Sequence, residues 1–227
     1  MKLITVAGPP SSGKTSVILK TIDNLKHMKF NVGVVKFDCL STYDDDLYRK
    51  AEVDVKVGIS GGLCPDHFYV SNIEDCVKWG FDKKFDYLIT ESAGLCNRCS
   101  PHIKEIPSVC VIDCLSGINT PKKIGPMLKF ADIVVITKGD IVSQAEREVF
   151  SFHVKQANPR AKIIFVNGIT GQGSFELGMN LKYYPEIENF NGKRLRFTMP
   201  SSICSYCLGE TKIGSHFQMG SVKKMNF

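Results

Sequence analysis

Residues 8–15 constrain the fold of this chain more than any other segment, because they read GPPSSGKT and fit the pattern G-x-x-x-x-G-K-[ST]. The segment follows an apolar run at residues 2–7 and precedes a helical pattern at residues 14–28, the strand–loop–helix context that this pattern requires. Glycines let backbone N–H groups wrap around phosphates, and the positive end of the helix dipole favours the same anion. We therefore predict a P-loop that binds a nucleoside triphosphate through Gly8, Ser11, Ser12, Gly13, Lys14, Thr15 and Ser16.

Two side chains of this loop have distinct expected roles. Lys14 reaches the outer phosphates, and the Thr15 hydroxyl ligates Mg²⁺. An apolar strand pattern at residues 85–90 ends in Glu91, whose carboxylate is suited to hold the magnesium or its water. Gly94 follows and offers its backbone N–H to the γ-phosphate. We expect Lys14, Glu91 and Gly94 to act in hydrolysis.

Apolar strand patterns alternate with helical patterns along most of the chain. Strands are predicted at residues 2–7, 32–37, 85–90, 108–113, 132–137 and 161–166, and helices at 14–28, 72–80, 121–129 and 143–156. This alternation is typical of an α/β fold with a mainly parallel, helix-covered sheet, in which ligands bind at the carboxyl ends of the strands. Residues 38–70 are predicted to be irregular. We expect a P-loop GTPase domain at 1–182 and a small, basic, cysteine-containing appendage at 183–227.

The strand pattern at residues 132–137 leads into a candidate base-recognition loop. Thr137, Lys138 and Asp140 fit [NT]-K-x-D, in which the carboxylate accepts hydrogen bonds from two donors of guanine that adenine cannot supply as a pair. Adenine bound in this site would leave buried polar groups without hydrogen-bond partners, which is costly in free energy. Asn167 and Gly168 follow the next strand pattern, where a last loop contacts the guanine carbonyl. The prediction is therefore GTP rather than ATP.

Nine cysteines include two C-x-x-C pairs, Cys96 with Cys99 and Cys204 with Cys207. Four thiolates suit a tetrahedral zinc site or a [4Fe-4S] cluster. The two pairs are about a hundred residues apart, so they either meet in one site, serve separate sites, or join across a dimer interface. The alternatives without transferable metal are an unliganded reactive surface pair for the first and a structural zinc staple for the second.

The position of Cys96 links the first pair to the nucleotide. Cys96 follows Gly94 by two residues, so a metal ligand there would move when GTP becomes GDP. Further candidate ligands are Cys64, His67 and His102. Small buried thiols are typical of a core, and this is the interpretation for Cys76, Cys110 and Cys114.

These residues resemble the CobW/HypB/UreG family of the SIMIBI class, the metal-insertion GTPases. The likeness covers roughly residues 1–180 and rests on GPPSSGKTS, on Asp38 after the second strand, on ESAG at residues 91–94 and on TKGD at residues 137–140. The resemblance implies that Asp38 is a magnesium or catalytic residue in the first switch. It also implies a dimer that closes with GTP and delivers a metal ion, nickel by family likeness alone, to an apo-enzyme.

Two segments resemble the metal-binding elements of the family. Residues 61–67 read GGLCPDH and resemble its Cys-His or Cys-Pro-His element, and Cys96 takes the place of a cysteine that follows the third motif. The chain departs from the family at Asp66, which separates Pro65 from His67. The spacing from Glu91 to Cys96 is also shorter than the corresponding spacing in HypB. A His-rich or Cys-rich storage segment at the start is also absent from this sequence.

Composition narrows the cellular setting. The net charge is +6, and residues 193–227 carry six Lys or Arg against the single acid Glu210. No nucleic-acid-binding signature accompanies this basic tail, so a nucleic-acid partner is not expected. No apolar run approaches the 18 or so residues of a membrane span, and a P-loop beginning at Gly8 leaves no room for a removable signal peptide. The expected location is the cytoplasm.

The combined hypothesis is a GTP-hydrolysing metallocentre assembly factor with Mg²⁺, working as a homodimer with a client metalloenzyme or its maturation proteins. Nickel or zinc would be bound by some subset of Cys64, His67, Cys96 and Cys99, because imidazole and thiolate accept either metal. The main alternative is an iron–sulfur nucleotide switch that passes clusters or electrons to a metalloenzyme. A small-molecule kinase with structural zinc and a GTPase with a protein-binding tail are further alternatives.

Overall fold

A parallel β-sheet forms the centre of the computed structural model, which describes residues 1–40, 44–198, 210–217 and 222–227. Within this part of the chain the sheet has seven strands in the order β3-β2-β4-β1-β5-β6-β7, and every pairing is parallel. The strands are β1 (Lys2–Ala7), β2 (Val32–Asp38), β3 (Asp54–Ile59), β4 (Tyr87–Glu91), β5 (Ser108–Asp113), β6 (Ile133–Thr137) and β7 (Lys162–Phe165). The predicted α/β fold is confirmed.

Helices cover both faces of this sheet. They are α1 (Lys14–His27), α2 (Asp44–Lys50), α3 (Pro65–Asp82), α4 (Thr120–Lys123), α5 (Pro126–Lys129), α6 (Gln144–Ala157) and α7 (Ser174–Lys182). Short 3₁₀ turns lie at Cys114–Ser116 and Ser215–Phe217. Because successive strand residues point to opposite faces, Val34 packs with the residues of α1 and α7, whereas Val35 packs with those of α3. The strand ends therefore position loops between two helical layers.

The prediction that residues 38–70 are irregular is wrong. They contain α2, the strand β3 and the first turn of α3, which begins at Pro65 rather than at residue 72. Strand β3 lies at the sheet edge and carries Asp54 and Lys56, so its sequence shows no apolar run. Helix α2 has three acidic residues in its first turn and two basic residues in its last. These charges interact favourably with the helix dipole and stabilise the helix despite its short length.

Two other element predictions are corrected. The single helix predicted at 121–129 is two short helices, α4 and α5, separated at Gly125, which has a φ of 68°. Helix α7 was not predicted, because its amphipathic pattern is short and contains Gly178. Pro126 at the start of α5 lacks an N–H, so it suits the first turn of a new helix better than the interior of one.

The chain after α7 packs against the domain. Ile187, Phe190 and Leu195 belong to the same buried cluster as α3. Leu195 forms an isolated antiparallel bridge with Ile103, and Arg194 forms one with Lys212. Cys204 and Cys207 lie outside the described residues, so their predicted roles as metal ligands stay predictions.

Candidate nucleotide and metal site

The loop between β1 and α1 has the backbone shape of a phosphate-binding loop. Ser11 and Gly13 adopt positive φ values of 59° and 90°, and the Lys14 ammonium donates to the carbonyls of Gly8 and Pro9 at 3.0 and 2.9 Å. A Cβ on Gly8 would lie 2.0 Å from the carbonyl oxygen of Val111, so only glycine fits there. Burial is the largest influence on the pKa of Lys14 and lowers it, while the charge of Glu91 opposes the shift. The predicted loop is therefore built around Lys14.

Glu91, the last residue of β4, is a buried carboxylate held by three donors. Its Oε1 accepts from the Thr15 hydroxyl at 2.8 Å and from Lys36 Nζ at 3.2 Å, and its Oε2 accepts from the Tyr48 hydroxyl at 2.7 Å. Thr15 and Glu91, the predicted magnesium pair, are thus in direct contact. Hydroxyl and carboxylate oxygens are the donors that Mg²⁺ prefers.

Asp38 also reaches this pocket. It ends β2, its Oδ1 accepts from the Cys39 N–H at 2.8 Å, and its Oδ2 lies 3.9 Å from Lys36 Nζ. A cavity of about 460 Å³ is lined by Asp38 together with Lys14, Thr15, Ser16 and Glu91. This volume is in the range of small-molecule sites, and the donors around it suit a phosphate chain with a divalent cation.

The third motif sits directly against the P-loop. A Cβ on Gly94 would lie 1.7 Å from the Gly8 carbonyl oxygen, and Gly94 has a φ of 72°. Only glycine permits both this contact and this backbone conformation. The approach places the 92–95 segment beside the loop that would hold the phosphates.

The candidate base loop contacts the P-loop from the other side. The Thr137 hydroxyl donates to the Ser12 carbonyl at 2.7 Å, and Lys138, with a φ of 56°, donates to the Ser11 carbonyl at 2.9 Å. A Cβ on Gly168 would lie 3.0 Å from the Cβ of Ser16, so the 167–168 loop also borders α1. The phosphate and base motifs are therefore packed together at the carboxyl ends of the strands.

Two further predicted base-binding residues share a cavity. Asp140 is exposed, and it lines a cavity of about 460 Å³ together with Asn167. The Asn167 Oδ1 accepts from the N–H groups of Ile169 and Thr170 at 2.8 and 3.0 Å, which fixes the turn of the last loop. Their adjacency supports the predicted role, and their part in base selection stays a prediction.

A second cluster lies just beyond the third motif. The Sγ atoms of Cys96 and Cys99 are 3.6 Å apart, and ligand atoms of Asp66, Cys96 and Cys99 all lie within 4.8 Å of one another. Two thiolates bound to one zinc at about 2.3 Å would have sulfurs about 3.8 Å apart, close to this spacing. The Asp66 Oδ2 is buried and has no hydrogen-bond partner among the described residues. The donor set fits a divalent metal.

Burial disfavours charge on this cluster. It raises the pKa of Asp66 to about 6, against a smaller opposing effect of a hydrogen bond with Cys99. Burial also raises the pKa of the Cys99 thiol well above its usual range, and nearby Asp66, Cys96 and Cys64 raise it further. A divalent cation would offset these like charges and replace the protons.

The other predicted ligands are distributed differently. Cys64 is the N-cap of α3, near enough to Cys99 to affect its thiol, whereas buried His67 is not part of the group of three in the described chain. Asp66 takes that place. In the sequence, Asp66 stands out only as a departure from the family pattern; the signal that could mark it as a ligand is a carboxylate between the two candidate ligands Cys64 and His67.

His102 is not a candidate ligand, contrary to the sequence interpretation. Its Nε2 donates to the Met127 carbonyl at 2.8 Å, so its Nδ1 is the acceptor for the Thr5 hydroxyl at 3.1 Å. Both ring nitrogens are therefore used inside the core. The core interpretation of Cys76 and Cys110 is confirmed, because both are fully buried, while Cys114 is only partly buried.

Comparison with known proteins agrees with this geometry. The CobW/HypB/UreG nucleotide-binding domain matches residues 2–165. The chain belongs to the CobW/HypB/UreG family. An uncharacterised protein of Methanocaldococcus jannaschii is 47% identical to this family member over 226 residues, covering 100% of this chain and 97% of that protein. The urease accessory protein UreG of Aliarcobacter butzleri is 28% identical over 180 residues, covering 72% of this chain and 89% of UreG.

Solved structures of the family share the fold. The hydrogenase maturation factor HypB of Archaeoglobus fulgidus superposes with a TM-score of 0.63 at 23% identity, covering 80% of this chain and 89% of HypB. HypB of Helicobacter pylori, solved in complex with nickel, gives a TM-score of 0.65 at 21% identity, covering 84% of this chain and 92% of HypB. Among the described residues of this CobW/HypB/UreG protein, no helix combines the length and apolar character of a membrane span.

Proposed function

We propose that this protein is a GTP-hydrolysing metallocentre assembly factor, which carries a divalent metal ion, nickel or zinc, as cargo for an apo-enzyme. The observation that carries the proposal is the continuity of one short segment. Glu91 lies in the nucleotide pocket, Gly94 touches the P-loop, and Cys96 and Cys99 lie in the cysteine–aspartate cluster. A structural change at the γ-phosphate position would therefore reach Cys96 through at most a few residues of the same segment.

The nucleotide half of the proposal assigns roles first to residues that line one cavity beside the P-loop. Lys14 would neutralise the outer phosphates, while Thr15, Glu91 and Asp38 would hold Mg²⁺, which screens the charge that develops during hydrolysis. The N–H of Gly94 would bind the γ-phosphate. Hydrolysis transfers the γ-phosphoryl group to water and yields GDP and phosphate, and Asp140 would select guanine.

The metal half rests on the Asp66, Cys96 and Cys99 cluster. Two thiolates with a carboxylate form a mixed set that suits zinc or nickel, with Cys64 close enough to join it. When the third motif moves with the nucleotide state, Cys96 would move relative to Asp66, which lies on the separate helix α3. Unequal metal affinity in the two states would release the cargo from the proposed homodimer to the client apo-enzyme or its maturation proteins.

The test is the metal and acid-labile sulfide content of full-length protein purified without oxygen and then titrated with Zn²⁺ or Ni²⁺. We expect tight binding of one divalent ion by the wild type, which Cys96→Ser and Asp66→Asn each weaken by at least tenfold. Cys114→Ser is the matched control, because this cysteine lies at the 3₁₀ turn after β5, outside the cluster, and its loss should leave binding unchanged.

Three results would overturn the metal half of the proposal. Equal affinity in Cys96→Ser and wild type would exclude the cluster, and no binding by the wild type would exclude cargo of this class. Iron and sulfide in a ratio near one would favour an iron–sulfur switch instead. GTP hydrolysis is measured separately on the same samples, so that the nucleotide half succeeds or fails independently.

A further inference from the structure

Lys36 is a buried lysine that the magnesium and phosphate roles above do not use. It is 4% exposed and lies near the carboxyl end of β2. Strand alternation puts it on the same face as Val32 and Val34, the face that carries α1 and the P-loop. It is also the register partner of Glu91 across the β2–β4 pairing. The strand register therefore positions the Lys36 side chain in the nucleotide pocket.

The Lys36 ammonium has three carboxylates around it. Its Nζ lies 2.8 Å from Asp44 Oδ2, 3.2 Å from Glu91 Oε1 and 3.9 Å from Asp38 Oδ2. Burial acts to lower the pKa of Lys36, but the charges and hydrogen bonds of Glu91 and Asp44 raise it overall. The side chain is therefore a charged ammonium at neutral pH, and it joins the end of β2 to the start of α2.

The same carboxylates are the expected magnesium ligands. Glu91 Oε1 accepts from both Thr15 and Lys36, so the ammonium shares an oxygen with the hydroxyl expected to ligate Mg²⁺. Two cations that need one carboxylate repel each other, and each weakens the hold of the other.

We propose that Lys36 is an internal counter-ion that competes with Mg²⁺ for Glu91 and Asp38 and that fastens α2 to the pocket through Asp44. Mg²⁺ bound with nucleotide weakens the Lys36 attachment, and α2 loosens. Lys36 is thus a positioning residue that makes Asp38 and helix α2 respond to magnesium. The inference rests on the nucleotide half of the proposed function and is independent of the metal cargo.

The first test measures the affinity of a fluorescent, non-hydrolysable GTP analogue as a function of Mg²⁺ concentration. In Lys36→Met, which keeps the aliphatic stem and removes the charge, we expect the half-saturating Mg²⁺ concentration to fall by about tenfold, because the competing cation is gone. Lys36→Arg keeps the charge and should stay within about twofold of wild type. Lys224→Met, which removes a surface ion pair with Asp75, is the matched control and should change nothing.

A second measurement uses the wild type alone and does not depend on the folding of a variant. Amide hydrogen exchange of residues 44–50 is followed with saturating GTP analogue, in EDTA and in Mg²⁺. We expect exchange in α2 to be at least about threefold faster with Mg²⁺, while exchange in α6 stays the same.

The outcomes separate this inference from the function on which it rests. If the wild type binds no guanine nucleotide at any Mg²⁺ concentration, the proposed function fails and the inference falls with it. If the wild type binds normally but Lys36→Met needs as much Mg²⁺ or more, only the inference is wrong. Unchanged or slower exchange in α2 would overturn it as well.

Discussion

In the nucleotide pocket, three hydrogen-bond donors converge on the carboxylate of Glu91. The P-loop, β2 and α2 each supply one of its donors, namely Thr15, Lys36 and Tyr48. A buried carboxylate needs such partners, because an ionised group without them is strongly destabilised in the protein interior. At the residue scale, therefore, stability and function share the same contacts.

The Tyr48 hydroxyl tests this dependence. Tyr48→Phe removes the 2.7 Å hydrogen bond to a charged, buried acceptor, and we expect a loss of about 1.5–3 kcal/mol in the free energy of unfolding. Tyr183→Phe is the matched control, since Tyr183 is 81% exposed, and its effect should stay within about 0.5 kcal/mol. Urea denaturation measures both, and equal effects would show that the Tyr48 bond contributes nothing specific.

Asp140 permits a sharper test of base selection. In Asp140→Asn the side chain gains an amide donor and loses one acceptor, so it no longer matches the two guanine donors. We expect GTP affinity to fall by about 10²-fold or more, while affinity for xanthosine triphosphate, which has a carbonyl in place of the guanine amino group, rises. Asp46→Asn, an exposed acid on α2, is the control. Unchanged GTP preference in Asp140→Asn would contradict the predicted base loop.

At the scale of elements, the Arg196 side chain makes five of the hydrogen bonds that hold the segment after α7 against the domain. Arg196 donates to both oxygens of Asp132 at 2.8 and 2.7 Å and to the carbonyls of Ile103, Ile106 and Phe130. Burial acts to raise the pKa of Asp132, but its bonds and charge interaction with Arg196 lower it overall. A bidentate ion pair thus connects the segment after α7 to Asp132, the residue before β6.

Removing this arginine should destabilise the fold. Arg196→Met removes the ion pair with Asp132 and the hydrogen bonds to three carbonyls, and among the described residues it leaves Asp132 with its donors from Ser108 alone. We expect a loss of about 2–4 kcal/mol, reduced from a fully buried pair because both partners are partly exposed. Arg194→Met, two residues away on an exposed side chain, should cost about 0.5 kcal/mol or less. Thermal and urea unfolding of the two variants provide the comparison. Similar unfolding midpoints would show that the Arg196–Asp132 ion pair does not stabilise the fold.

The elements that the sequence predicts and those that it misses differ in physical kind. The P-loop, Glu91 and the 137–140 loop stand at the ends of buried strands, which read as apolar runs, so their convergence is predictable. Strand β3 and helix α2 are short, polar and at the edge, and Lys36 becomes informative only through its register with Glu91. Its signal was a lone charge inside the apolar strand VGVVKF, which is rare unless the charge is paired.

The cysteine–aspartate cluster shows the same limit. Cys96 and Cys99 are marked by their spacing, but Asp66 joins them only because α3 begins at Pro65 and turns its first residues toward the third motif. Whether a helix starts at residue 65 or at residue 72 decides which face Asp66 occupies. Such packing between distant segments is not encoded in local periodicity.

At the scale of the whole molecule, acid stability depends on a histidine in the core. Burial lowers the pKa of His102 to about 4, whereas the pKa of an unfolded histidine is about 6.5. Below about pH 6.5 the unfolded chain takes up a proton that the folded chain refuses, so His102 contributes full stability above that pH. We expect about 3 kcal/mol of this contribution to be lost as the pH falls from about 6.5 to 4.

Comparison of two variants isolates this effect. His102→Gln removes the titration, and the slope of unfolding free energy against pH between about 6.5 and 4 should become shallower. His27→Gln, at an exposed position near the end of α1, should keep the wild-type slope. Urea denaturation at a series of pH values gives the slopes, and an unchanged slope in His102→Gln would contradict the assignment.

The proposed function requires coupling between the nucleotide pocket and the cysteine–aspartate cluster. The most direct test is the Zn²⁺ or Ni²⁺ affinity of the full-length protein, measured by competition with a chromophoric chelator, once with GDP and once with a non-hydrolysable GTP analogue, both with Mg²⁺. Because Gly94 and Cys96 lie in one short segment, we predict affinities that differ by about tenfold or more, and a difference that Cys96→Ser abolishes. Equal metal affinity in the two nucleotide states would contradict the account.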